Sequence, residues 1–168
     1  MKIVRATKEH KDDYTETHNK SMQECYIDFA PSQWIQELVC NPPESFTFDK
    51  LLTNESIEIH ICYDRNMPIG TIVLEKLGSE GEIHSIHFVK SAQGKGHAQT
   101  ALEFAEDTLK RKGCTKIVLE CLQENKRATN FYLKNGYKAT SEKKTTMRAG
   151  KVFTQIKYEK EHGLKKMP

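Results

Sequence analysis

At 168 residues, with a formal net charge of +3, 37% hydrophobic and 29% charged residues, the chain has the size and balance of one ordinary globular domain. Its positive charge is spread along the sequence, which argues against a nucleic-acid-binding stripe, and no apolar run is long enough to span a bilayer. The polar start lacks the apolar core of a signal peptide, and Cys25, Cys40, Cys62, Cys114 and Cys121 include no close metal-type pair, so the reading is a cytoplasmic protein with reduced cysteines and no metal.

In chain order, Lys2 to Ala6 reads as a strand, and Thr7 as the N-cap of a polar helix reaching about Met22. Pro31 opens a second helix with Trp34, Ile35 and Leu38 on one face, ended by Asn41-Pro42-Pro43. Asp49 to Asn54 is ambiguous. Ile57, Ile59, Ile61 and Tyr63 then alternate with Glu58, His60 and Cys62, the period of a half-buried strand. Asp64-Arg65-Asn66 turns the chain into a hairpin partner over Ile69 to Leu74, and Gly78 to Gly81 turns it again into a strand from Glu82 to Val89. His97 to Lys112 is a helix with Ala98, Ala101, Leu102, Ala105 and Leu109 on one stripe, closed by Gly113. A strand over Lys116 to Cys121, a helix from Lys126 to Asn135 and a pair of strands over Tyr137 to Thr146 and Lys151 to Tyr158 complete the order. The reading is an α/β domain over residues 1–160, with a single mixed, mostly antiparallel sheet, helices on both faces and a right-handed parallel crossover from Glu82 to Cys121. Glu159 to Pro168 reads as a solvated end, with residues 161–168 a polar tail.

Chemistry concentrates in the strand Ile86-His87-Phe88-Val89 and the turn Gln93-Gly94-Lys95-Gly96-His97-Ala98. A glycine-rich turn from strand to helix leaves backbone N–H donors and the positive end of the helix dipole pointing outward, a site for a pyrophosphate. Gly94 and Gly96 let the backbone approach such a group, and Lys95 adds charge. No Gly-Lys here is followed by Ser or Thr, which excludes the nucleoside-triphosphate loop. Two glycines after antiparallel strands also fail the dinucleotide fingerprint.

A second block, Asn125 to Tyr137, follows the next strand. Gln93, Gly96 and Ala98, followed by Asn125, Ala128, Phe131, Tyr132, Gly136 and Tyr137, resemble the two signatures of the GNAT superfamily of N-acetyltransferases, in the right order and with one helix and one strand between them. The close resemblance runs from about Gly81 to Tyr137; Lys90 stands where many members carry proline. The resemblance implies the acyl-CoA N-acyltransferase fold and acetyl-CoA as the acetyl donor, with the pantetheine arm along Phe88 and Val89 and the pyrophosphate on the turn from Gln93 through Gly94, Lys95, Gly96, His97 and Ala98 to Gln99. It further implies cofactor contacts from Asn125 and Ala128, with Asn125 equally suited to cap the following helix, and a backbone N–H near Phe88 that polarises the thioester carbonyl. Tyr132 is implied as the general acid that protonates the departing thiolate.

The base stays open between His84 and Glu82. Alternation places Glu82, His84 and Ile86 on one strand face and His87 on the other, where it reads as structural. The segment His84-Ser85-Ile86-His87-Phe88 also looks like the equivalent strand of arylalkylamine N-acetyltransferases, whose histidines help take the amine proton. Tyr26, Asp28, Phe29 and Trp34 are candidates for the amine pocket, with Asp28 or Glu24 drawing in a cation. Cys121 lacks a recognisable histidine–carboxylate arrangement, so the expected reaction is direct attack in a ternary complex. A small-molecule amine (polyamine, arylalkylamine or amino sugar) is the favoured acceptor over a protein amino group. The alternative is a non-catalytic acetyl-CoA sensor, and a homodimer is compatible with either.

Overall fold

The chain forms a seven-stranded sheet in the order β1-β2-β3-β4-β5-β7-β6, covered on both faces by helices. The structure is a computed structural model that describes residues 1–163. Strand β1 (Lys2–Arg5) precedes α1 (Lys11–Tyr26), α2 (Ser32–Cys40) and the short α3 (Phe48–Thr53), which is what the ambiguous Asp49–Asn54 stretch becomes. The meander β2 (Ile57–Asp64), β3 (Met67–Leu77) and β4 (Glu80–Phe88) is antiparallel. Helix α4 (His97–Arg111) then crosses to β5 (Lys116–Leu122), whose pairing with β4 is the one parallel pairing of the sheet among the described residues. Helix α5 (Lys126–Lys134) and the hairpin β6 (Lys138–Arg148) and β7 (Lys151–Glu161) follow, with β7 inserted between β5 and β6. No helix among the described residues is long and apolar enough to cross a membrane.

The α4 stripe read from sequence is the centre of the larger core: Ala101, Leu102, Ala105 and Leu109 are each at most 1% exposed and meet Ile72, Leu74, Ile83 and Ile117 of the sheet. Burying each leucine side chain stabilises the fold by roughly 1.5–3 kcal/mol relative to exposure. On the other face Tyr14 of α1 and Phe48 and Leu51 of α3 cover Ile59, Ile61 and Val73. Strand β2 departs from the half-buried expectation. Glu58 and His60 are buried too, because α4 also covers their face: Phe104 meets the His60 ring edge-on at 4.9 Å, and Lys112 and Arg5 supply cations to Glu58. The chain end is likewise more ordered than its polar composition suggested. Strand β7 pairs with β5 as far as Glu161, and the His162 N–H donates to the Thr115 carbonyl at 2.7 Å. The remainder of the expected tail, residues 164–168, lies outside the described residues.

Candidate active site

Strands β4 and β5 pair only from Glu80 to Glu82 against Lys116 to Val118, and beyond that point they separate. The gap exposes the inner edge of β4. The Val89 N–H donates to the Ile69 carbonyl of β3 at 3.0 Å, and peptide groups alternate direction along a strand, so the Phe88 N–H and C=O face the gap. Gln93 confirms this orientation: its Nε2 donates to the Phe88 carbonyl at 2.9 Å, while Arg127 of α5 donates to its Oε1. Val89 was expected beside the cofactor, but its carbonyl also accepts from the Ala92 N–H, so both its backbone groups are committed inside the protein.

At the end of the gap Gly94 and Gly96 adopt φ values of +73° and +81°, a region closed at low cost to other residues. Gly96 starts α4, and none of the amide N–H groups from Gly94 to Gln99 donates to another group among the described residues. Lys95 and His97 therefore offer this turn their free backbone N–H groups. The Lys95 side chain is exposed and His97 stacks on Phe88 at 6.1 Å, and neither side chain lines the cavity described next.

A cavity of about 1300 Å³ runs from this turn through the gap to α1, α2 and α3. Phe88, Gln93, Gly94, Gly96, Ala98, Gln99, Asn125, Ala128, Tyr132 and His84 line it. Asn125 caps α5, its Oδ1 accepting from the Ala128 N–H at 3.2 Å. One turn later α5 presents Tyr132, 9% exposed, with its ring edge-on to Tyr137 at 5.7 Å. Burial raises the phenol well above its ordinary value, with Cys121, Tyr26 and Cys25 close by, so Tyr132 keeps its proton at neutral pH. Burial also pushes the Cys121 thiol up to about 12, which disfavours its thiolate at neutral pH.

The β4 face differs from simple alternation. Val73 pairs with Ser85 and Leu74 with Ile83, leaving His84 as the extra residue of a β-bulge. The bulge reverses the faces beyond it. Ile86, expected beside Glu82 and His84, packs instead on the α4-side core. His87, expected on the opposite face, turns toward α1, its ring 5.4 Å from His18 and 6.5 Å from Tyr26. His84 Nε2 bonds Glu75 Oε2 at 2.7 Å, and its Nδ1 lies 3.4 Å from Glu82. Burial, with Glu120 and Glu75 near, holds the Glu82 carboxyl above its ordinary value against the opposing pull of His84. Glu82 itself is set off the cavity wall.

The α1–α3 end of the cavity is aromatic. Tyr26, Phe29 and Trp34 line it as the sequence suggested, joined by Tyr14, His18 and Phe48, which the sequence did not mark. Tyr26 packs on Phe29 at 5.1 Å and edge-on to Trp34, and Trp34 meets Phe153 of β7 at 4.6 Å. Asp28 is exposed at the wall, whereas the Glu24 carboxylate accepts from the Lys90 N–H and caps the turn after β4. Lys151 donates to the Phe29 carbonyl at 3.1 Å and ties the β6–β7 hairpin to the α1–α2 loop.

Known proteins share this fold. The chain resembles an N-acetyltransferase, PaiA, of Thermoplasma acidophilum, solved with coenzyme A (TM-score 0.79, 21% identity, 96% of this chain and 98% of that one). It also resembles a GCN5-related N-acetyltransferase structure from Rhodopseudomonas palustris (TM-score 0.77, 14% identity, 95% and 94%). A Bacillus subtilis (strain 168) sequence assigned as an acetyltransferase is 29% identical over 110 residues, 65% of this chain and 71% of the other. The model of the acetyltransferase (GNAT) family matches residues 4–137. That match spans the gap, the glycine turn and the Asn125–Tyr137 block together, and the chain belongs to the GNAT family of acetyltransferases.

Proposed function

We propose that this acetyltransferase moves the acetyl group of acetyl-CoA directly onto a small primary amine, with both substrates bound at once. The observation that carries the reading is the continuity of the cavity, which joins the gap and Tyr132 at one end to the aromatic pocket at the other. The residues present suit coenzyme A: free N–H donors from Gly94 to Gln99 match a pyrophosphate, and the Phe88 N–H in the gap is left for the thioester carbonyl while Gln93 holds the Phe88 C=O. The Lys151 bond to Phe29 holds the β6–β7 hairpin beside the α1–α2 loop at the far end, which favours a small acceptor over a protein chain.

The amine loses its proton to the polar face of β4, where His84 and Glu82 stand, directly or through water. The nitrogen lone pair forms the C–N bond while the Phe88 N–H polarises the carbonyl. The C–S bond breaks, and sulfur takes the Tyr132 proton. The buried thiol of Cys121 carries no acyl group.

The test is release of free coenzyme A, measured by mass spectrometry, with acetyl-CoA and spermidine, tyramine, glucosamine or a peptide. Turnover on a small amine, cut on the order of a hundredfold in Tyr132→Phe, is the expected outcome. Thermal stabilisation by acetyl-CoA without turnover on any amine would instead establish a sensor.

A further inference from the structure

The reversal of β4 at His84 leaves one group without an occupation. His87 lines the acceptor end of the cavity and directly precedes Phe88, whose N–H faces the gap. Neither nitrogen of its ring has a hydrogen-bond partner among the described residues, and Nδ1 is shut off from solvent. Nε2 is therefore the ring nitrogen open to the cavity, and it can accept a ligand N–H there.

Its surroundings keep the ring neutral and fixed. From α1 come His18, at 5.4 Å, and the edge of Tyr26; Tyr14 stacks on His18 at 5.1 Å with 11° between planes. From β3 comes Thr71, whose hydroxyl lies 3.3 Å from His18 Nδ1. No ion pair reaches His87 among the described residues. Burial, reinforced by His18, lowers the His87 pKa to about 3, and burial lowers that of His18 to about 4. Such an imidazole is too weak to deprotonate a free ammonium. It suits a nitrogen whose lone pair is already engaged in a new C–N bond, because that nitrogen is far more acidic.

We propose that His87 takes the second proton of the acceptor nitrogen as the C–N bond forms, with His18 positioning its ring. This rests on the acetyl-transfer reading and assigns a step within it. The ammonium gives its first proton to the β4 face at His84 and Glu82. The nitrogen lone pair then forms the C–N bond, and the C–S electron pair leaves on sulfur, which takes the Tyr132 proton. The remaining excess proton on nitrogen passes to His87. Of the two protons shed by nitrogen, one restores Tyr132 and the other leaves to solvent, so one ammonium and one acetyl-CoA give an amide, a thiol and a proton.

Two variants test this, His87→Ala and the volume-filling His87→Phe, each first checked for folding by thermal melt. With the small amine that wild type acetylates, both lose on the order of a hundredfold in kcat, while stabilisation by acetyl-CoA is unchanged. Added imidazole restores rate to His87→Ala and not to His87→Phe. Independently of turnover, adding the same amine to wild type with coenzyme A shifts the His87 ring-nitrogen resonance. Turnover within threefold of wild type in His87→Phe, or no resonance shift, overturns the proposal and leaves acetyl transfer standing. Absence of wild-type turnover on every amine overturns the parent reading and this step with it.

Discussion

The two ends of the cavity are built from different materials. The cofactor end is largely backbone: the free N–H groups from Gly94 to Gln99, the Phe88 peptide in the gap and a helix cap at Asn125. The acceptor end is side chain: rings from α1, α2, α3 and β4, converging from positions up to 73 residues apart between Tyr14 and His87. In the proposed function, backbone donors bind the part of the substrate common to every acetyl-CoA reaction, and they need only the right glycines and the right strand-to-helix turn. Side chains gathered from many elements define what is acetylated. The first end is therefore fixed by local chain geometry, and the second by the tertiary fold.

The difference predicts unequal sensitivity to pH, and this is the largest effect expected. Amide donors do not titrate, whereas the acceptor end holds His18 and His87, lowered by burial to about 4 and about 3; His60, on the other sheet face, is lowered to about 4. Above the unfolded-chain value of about 6.5 these histidines are neutral in both states, and their contribution to stability is intact. Below it the unfolded chain binds protons that the fold refuses. Stability then falls by up to about 1.4 kcal/mol per pH unit for each group until the pH nears the folded values. Urea midpoints at pH 7, 6 and 5 measure this slope. The double variant His18→Phe, His87→Phe should lose the larger part of it, and an undiminished slope would break the comparison.

Next in size is a change confined to the cofactor end. Gly96→Val forces a β-branched residue to φ +81°, a strain of about 1–2 kcal/mol, in a place where the added side chain meets nothing. If the chain relaxes by moving Gly96 out of that conformation, the run of free N–H groups is lost. Affinity for acetyl-CoA should then fall roughly tenfold, read as a smaller thermal shift with ligand. Unchanged binding would mean that the turn is not the pyrophosphate site.

The same contrast explains what the sequence made legible. The glycine turn, the α4 stripe and the Asn125–Tyr137 block are local patterns, and their elements fall within a residue or two of expectation. The bulge at His84 has no local signature, because it depends on how β3 and β4 settle into register, and it alone reverses the faces of Ile86 and His87. Nor could His18 be linked to His87 by spacing; they meet only because α1 crosses β3 and β4. Glu58 and His60 misled for the same reason: alternation reports polarity along a strand, and α4 arrives from elsewhere to bury the polar side.

The smallest predicted effect separates two roles that the sequence left joined at Asn125. Its Oδ1 accepts the Ala128 N–H at the first turn of α5, the helix that carries Tyr132. Removing such a cap costs about 1 kcal/mol, which for a chain of this length lowers the melting temperature by about 2–4 °C. Asn125→Asp keeps the acceptor oxygen and should melt as wild type, while Asn125→Ala should show the full loss. A cap acting alone leaves stabilisation by acetyl-CoA equal in both variants. A direct contact with the cofactor instead weakens it in both, the aspartate more than the alanine, because a new carboxylate would then face the phosphates. The melts without ligand thus measure the cap, the shifts with ligand measure the contact, and the pair decides whether α5 belongs to the backbone-built end of the cavity through its cap alone.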